Sequence, residues 1–342
     1  MQQFKKILLI RTDRFGELLL NTPAIHATRE TFPQSRITLV VCDYSKEAVS
    51  GNPDIDKLIV FNAKGILEKV KFIFMLKKEK FDLAVMLSPS KFFNIATFLA
   101  GIKKRVGYDR KWGFLLTDKI KDEKFKGQKH EVEYNLDLVR HIGANTDTKD
   151  LVFVFDKEDE IFVKNLLASF GISPNNSIVG IHPASSNPAK MWPAEYFIQL
   201  IDMLKSKPDI TICLVGTPEY GKLIEKIIEK TAQKPVNLCG KFTLKQLGAF
   251  LKRCSLLISN DSGPVHLAAA VGTPVIAIFG RNIKGVSPKR WGPWGKNHVI
   301  FHKDPGCNPC LDRNCPYNFK CLTDITPQQV YQAAERIFRQ PR

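Results

Sequence analysis

Short runs of consecutive apolar residues alternate, along the whole chain, with longer segments in which apolar residues return every third or fourth position. In the first half the runs fall at Lys6–Ile10, Arg36–Val41, 57–61 and 83–87, with helical repeats such as 18–30 between them. In the second half they fall at 177–181, 210–215, 256–259 and Val275–Phe279, each followed by turn residues and a helical repeat. Strands that alternate with helices form parallel sheets covered on both faces. The pattern predicts an α/β fold with a parallel sheet in each half. Two amphipathic stretches, 131–142 and 156–170, lie between the halves, and the boundary is expected between residues 150 and 175.

Composition agrees with a folded, two-domain chain. The 342 residues are 44% hydrophobic and 25% charged, which is ordinary globular usage. The apolar run at 7–10 is too short for the core of a signal peptide, and 266–280 is too short to span a bilayer, so neither is expected. Charge adds a direction. Fifty-one Lys and Arg against 34 Asp and Glu give +17, a field that favours anionic partners. Residues 103–129 alone hold ten basic and four acidic side chains. Aromatic residues are not interleaved with the basic ones in any recognisable module, so nucleic acid is not the expected partner.

Four stretches carry candidate chemistry. At 259–270, Ser-Asn-Asp-Ser-Gly-Pro-Val-His-Leu-Ala-Ala-Ala, an apolar strand ends in a small polar turn and a helix opens at Pro264. Backbone N–H groups at Ser262 and Gly263 would then face outward at the positive end of the helix dipole, with His266 on the first turn, and such an end binds phosphate. A plain N-cap would look similar, and His266 favours the phosphate reading. The loop at 182–193 follows a strand, where open α/β sheets bind ligands, and offers Lys190 to a diphosphate. Glu219, after the strand at 210–215, is placed to accept hydrogen bonds from ribose hydroxyls, or to cap a helix. In the loop after the first strand, Arg11, Asp13, Arg14 and Glu17 bring two acids and two arginines together around Gly16. A carboxylate there could act as general base while the arginines hold an anionic substrate, and some of the four are expected to form an internal pair instead.

Taken together these stretches resemble a family 9 glycosyltransferase, the group that contains the lipopolysaccharide heptosyltransferases. The resemblance runs through 10–23, Arg105-Val106-Gly107-Tyr108, His130-Glu131-Val132-Glu133, 182–192 and 259–280. It implies a GT-B architecture of two facing Rossmann-like domains with parallel sheets. The acceptor would bind residues 1–160 and the nucleotide sugar residues 161–342, with the last helix expected to pack back on the first domain. It implies a metal-independent, cofactor-free, inverting transfer of L-glycero-D-manno-heptose from ADP-heptose to the lipid A inner core. The family's catalytic acid, in a Gly-Asp pair, falls on Gly16-Glu17, where this chain carries Glu. One more methylene moves the carboxylate by about a bond length, to which catalysis responds, and Asp13 stands as the second candidate base.

The resemblance further gives Asp261 the sugar hydroxyls, and Ser262, Gly263, His266 and Lys190 the diphosphate. Arg11, Arg14 and the basic segment at 103–129 would face anionic groups of the acceptor. A basic surface also suits an anionic membrane leaflet, so the expected location is cytoplasmic and peripheral on the inner membrane. No residue identifies the acceptor, which leaves room for a protein acceptor, another nucleotide sugar, or a non-catalytic sugar-nucleotide-binding protein.

Eight cysteines remain. Cys42, Cys213, Cys239 and Cys254 sit in or beside apolar runs and read as small core residues. Cys307, Cys310, Cys315 and Cys321 fall within fifteen residues. Their spacing is compatible equally with a structural zinc and with free thiols, and neither would be catalytic.

Overall fold

The structure, a computed structural model, describes residues 3–205 and 209–339. The chain divides into two compact units, one running to Val154 and the other beginning at Phe155.

The first unit contains strands β1 (Lys6–Ile10), β2 (Arg36–Val41), β3 (Lys57–Val60), β4 (Leu83–Met86), β5 (Lys104–Tyr108) and β6 (Asp118–Ile120). They form one parallel sheet in the order β3-β2-β1-β4-β5-β6. Its helices are α1 (Phe15–Leu19), α2 (Thr22–Thr31), α3 (Ile66–Glu79), α4 (Lys91–Leu99) and α5 (Glu131–Arg140). Ile7, Leu8, Leu9 and Ile10 are all buried, which only a sheet covered on both faces requires. On one face Phe72 and Leu76 of α3 and Phe93 and Ala96 of α4 pack against Leu8, Ile10, Ala84 and Met86.

The helix expected over 18–30 is two helices. Pro23 has no N–H to give to the carbonyl four residues back, so the first helix stops at Leu19 and a second starts at Thr22 with the proline in its first turn. The side chain of Asn21 bridges the break, donating to the Glu17 carbonyl at 2.7 Å.

The second unit contains β7 (Ser177–His182), β8 (Ile210–Leu214), β9 (Val236–Asn237), β10 (Leu256–Asn260), β11 (Val275–Phe279) and β12 (His298–His302). These too are parallel, in the order β12-β11-β10-β7-β8-β9. Helices α6 (Lys157–Ser169), α7 (Ala194–Lys205), α8 (Gly221–Lys230), α9 (Leu244–Arg253) and α10 (Gly263–Ala270) follow in turn. Then come α11 (Pro288–Trp291), α12 (Lys320–Thr323) and α13 (Pro327–Arg339). The apolar side of α13, Val330, Ala333 and Ala334, joins the second core with Phe197, Leu200 and Ile201 of α7.

Both sheets share one plan. The first strand of each lies in the middle and the strand order reverses beside it, between β1 and β4 and between β7 and β10. At such a reversal the loops leaving the carboxyl ends part to opposite faces and open a crevice for ligand. Among the described residues no helix is long and apolar enough to cross a membrane.

Candidate functional site

In the second unit the reversal brings together the ends of β7, β10 and β11. Strand β10 closes with Asn260, and Asp261 and Ser262 turn the chain into α10, with Pro264 in its first turn. The Ser262 hydroxyl does not cap this helix. It lies 3.0 Å from Ser259 Oγ, 3.0 Å from the Asn260 carbonyl and 3.1 Å from His182 Nδ1. A plain capping serine would give its oxygen to the helix N–H groups, so this turn leaves the helix start to other anionic partners. Burial drives the His182 pKa down to about 4, so that ring is neutral at physiological pH.

Asp261 is the hub of the group. Its Oδ2 accepts from Lys190 Nζ at 2.7 Å and from Arg281 Nη2 at 3.3 Å, with all three side chains largely buried. Two cations on one carboxylate leave net positive charge at the mouth of α10. The 182–192 loop is fixed from below: Asn260 donates to the Pro183 carbonyl at 2.7 Å and accepts from the Trp192 N–H at 3.0 Å. The Trp192 indole in turn donates to the Ile325 carbonyl at 2.8 Å. Gly280 closes the arrangement, because a Cβ there would stand 2.1 Å from the Ala189 carbonyl oxygen. Beside the loop lies an apolar cavity of about 310 Å³, walled by Trp192, Leu223, Ile227 and Phe319.

In the first unit the loop after β1 meets the loop after β4. Arg11 Nη1 donates to the Leu87 carbonyl at 2.8 Å, and the Ser88 hydroxyl donates to Asp13 Oδ1 at 3.3 Å. Arg11 is only 3% exposed. Its guanidinium pairs with Asp13 at 3.0 Å and faces Glu131 at 3.7 Å, and Glu131 also takes Lys124 at 2.8 Å. Two cations and two carboxylates are thereby matched in a chain whose members other than the half-exposed Asp13 are buried, the condition under which such charges are tolerated.

Glu17 is the third residue of α1 and accepts from the Arg14 N–H at 3.0 Å, which ties off the start of the helix. Burial pushes its carboxyl above the ordinary range, and the Asp13 charge adds to that. Arg11 and the Arg14 N–H oppose it. Tyr44 stands beside the same groups, its phenol pushed up by burial and by Cys42, Glu17 and Asp13.

The structure gathers Lys190, Asp261, Ser262 and the start of α10 in one crevice, and places Asp13, Glu17 and Arg14 at another. One expectation changes. Arg11 is an internal strut and not a surface anion binder, because its guanidinium is already held by Leu87, Asp13 and Glu131. Asp261 is engaged by two cations, so it orders the basic groups as well as facing the crevice. Glu219 is exposed on the turn after β8, and among the described residues no hydrogen bond ties it to the Lys190 group. Sequence reasoning missed Arg281 and Glu131. An arginine separated from the β11 run by Gly280, and an acid on the apolar side of α5, were the available signals.

Cys307, Cys310, Cys315 and Cys321 line one small cavity with Arg281 and Asp312. None of the four is in a disulfide, and among the described residues no three His, Cys, Asp or Glu side chains are gathered as metal ligands.

Residues 70–320 match the profile described as Glycosyltransferase family 9 (heptosyltransferase). The chain is 27% identical over 344 residues to lipooligosaccharide heptosyltransferase 2 of Campylobacter jejuni, covering 98% of each. Among solved structures it is similar to a family 9 glycosyl transferase from Veillonella parvula, with TM-score 0.84 and 24% identity over 98% of this chain and 97% of that one. It is similar also to the ADP-heptose LPS heptosyltransferase II of E. coli, with TM-score 0.79 and 22% identity over 97% and 98%.

Proposed function

Since the chain belongs to glycosyltransferase family 9, the heptosyltransferase family, we propose that it moves heptose from ADP-heptose to the inner core of lipopolysaccharide. The observation that carries this reading is the Lys190–Asp261–Arg281 group at the opening of α10. A diphosphate leaving group needs positive charge that is already in place when the bond breaks, and preorganised charge of this kind is commonly the largest single contribution to catalysis.

In the proposed reaction Glu17 takes the proton from an acceptor hydroxyl as that oxygen attacks the anomeric carbon. ADP departs from the opposite face, so the configuration inverts. Lys190, His266 and the N–H groups of Ser262 and Gly263 receive the charge that develops on the diphosphate, with Arg281 behind them. Asp261 orients the two cations and meets the sugar hydroxyls, and Glu219 takes the ribose. Arg14, exposed beside Glu17, meets anionic groups of the acceptor, while Arg11 sets the position of Asp13. The raised proton affinity of Glu17 supports it over Asp13 as base, since a base works best when its pKa approaches the working pH.

No divalent cation is required in this scheme because the basic crevice supplies the charge. The enzyme would work in the cytoplasm, at the inner face of the inner membrane where a lipid-linked acceptor is presented. The test is incubation with a panel of nucleotide sugars, with and without lipid A core acceptor and with excess chelator, scoring released nucleoside diphosphate. Release from ADP-heptose that depends on the acceptor and survives chelation is expected. Release only from another nucleotide, or only with a peptide acceptor, would overturn the assignment, and binding without turnover would make the chain a sugar-nucleotide-binding protein.

A further inference from the structure

Helix α3 is apolar on two sides. One side, Phe72 and Leu76 with Ile73 and Met75, packs into the first core. The other carries Ile66, Leu67, Val70 and Phe74, which are 80%, 76%, 41% and 66% exposed. Positions 66, 70 and 74 follow the four-residue spacing of one helix face, and 67 lies seven before 74, so the four form a continuous stripe. An exposed apolar stripe of this size marks a surface that is covered in use.

Charge says what covers it. Lys71, Lys77 and Lys78 fall on or beside the stripe and are exposed, and Lys64 precedes the helix. One nearby acid, Glu68, accepts from the N–H groups of Lys64 and Gly65 and sets its charge against Lys64 and Lys71. Glu79 pairs with Lys57 at 2.7 Å, which leaves Lys77 and Lys78 without an acid partner among the ion pairs of the described residues. A second copy of the chain is a poor occupant, since a two-fold contact sets the same surface against itself and would bring these lysines together.

Position in the fold supplies the last point. All six strands of the first sheet run parallel, so the helix that follows β3 starts at the carboxyl edge. The loop bearing Asp13, which leads into α1 and Glu17, leaves β1 at that same edge.

We propose that α3 is a membrane-docking helix, its apolar stripe entering the interfacial layer of a bilayer rich in anionic lipid while Lys71, Lys77 and Lys78 meet headgroup phosphates. Amphipathic helices with lysines beside an apolar face bind in this way, lying in the plane of the interface. The choice of a bilayer over an acidic protein rests on the lipid-linked acceptor proposed above. Docking at this edge would bring the surface that carries the acceptor to the loop that acts on it.

The test is flotation of the full chain with extruded vesicles of phosphatidylcholine alone or mixed with phosphatidylglycerol. The chain should float with the mixed vesicles and remain behind with neutral ones. Lys71→Gln or Lys78→Gln should each lower partitioning about five-fold. Leu67→Ser combined with Phe74→Ser should lower it by more than about ten-fold, with unchanged thermal stability because both side chains are exposed. Failure of the parent to float with anionic vesicles, or undiminished flotation of the double variant, overturns the proposal. So does a dimer in solution that the double variant dissociates. Turnover on a deacylated, water-soluble acceptor separates the two readings. A docking-defective variant should retain it, whereas a chain that floats normally yet transfers no sugar refutes the function and leaves the docking surface in place.

Discussion

Lys190 Nζ stands 2.7 Å from Asp261 Oδ2, inside a crevice where the same oxygen also takes Arg281. A free lysine loses much rotamer freedom when it clamps a ligand, and that loss weakens binding. Here the ordering has been completed on folding, so in the proposed reaction Lys190 would meet a diphosphate already in place.

Replacing this lysine should therefore cost donor affinity. Lys190→Ala removes a charged contact, and ADP binding by calorimetry should weaken about ten- to hundred-fold. Equal affinity of variant and parent at matched ionic strength would exclude the residue from the diphosphate site.

Catalysis should respond differently. Glu17→Gln keeps the acceptor oxygen that ties off α1 but abolishes the base, so kcat should fall by about 100-fold or more with little change in ADP affinity. Asp13→Asn loosens the bond to Arg11 and should raise the acceptor KM. If Asp13→Asn is inactive and Glu17→Gln turns over, the two roles are exchanged.

The same glutamate gives a pH signature. Its carboxyl holds a proton more tightly in the folded chain than the ordinary value of 4.5, chiefly through burial. Ionising it therefore costs stability above that value, and the cost is absent below it. Glu17→Gln should accordingly be more stable than the parent to urea at pH 7, with the difference vanishing as the pH falls below 4.5. A variant less stable at pH 7 would show that the carboxylate is stabilised where it lies. The acid limb of the parent's kcat profile should likewise lie above the ordinary carboxylate range.

Backbone proximity at Gly280 yields a fourth expectation. A methyl group there meets the Ala189 carbonyl at 2.1 Å, and neither strand end nor loop can yield without moving Lys190. Gly280→Ala should lower stability by about 1–3 kcal/mol in denaturant titrations and weaken ADP binding at the same time. A variant with parental stability and affinity would show that the loop is free to shift.

The parallel sheets were legible because Ile7 to Ile10 and Val275 to Phe279 are apolar without interruption, a pattern that buried parallel strands share with little else. The turn into α10 was legible because Pro264 and the small residues before it mark a helix start. The break between α1 and α2 was hidden by apolar residues that keep a helical spacing across it, although Pro23 announced it. Arg281 and Glu131 were hidden for a different reason. Arg281 acquires meaning from Asp261, 20 residues away, and Glu131 from Arg11 on the first strand's loop as well as from the nearer Lys124, and local pattern carries no trace of the long-range pairings.

The shortness of α1 has a consequence for how lesions in this chain would be read. Five residues cannot sustain a helix on their own hydrogen bonds, so Glu17 owes its position to Leu18, Leu19 and Leu20, which anchor the turn by burial. With Glu17 as the proposed base, trimming any of these leucines would leave the proposed ligand-contacting groups intact and yet blunt turnover. A geneticist mapping loss-of-function alleles would find a cluster of apparent active-site defects whose cause is the loss of oil behind the carboxylate.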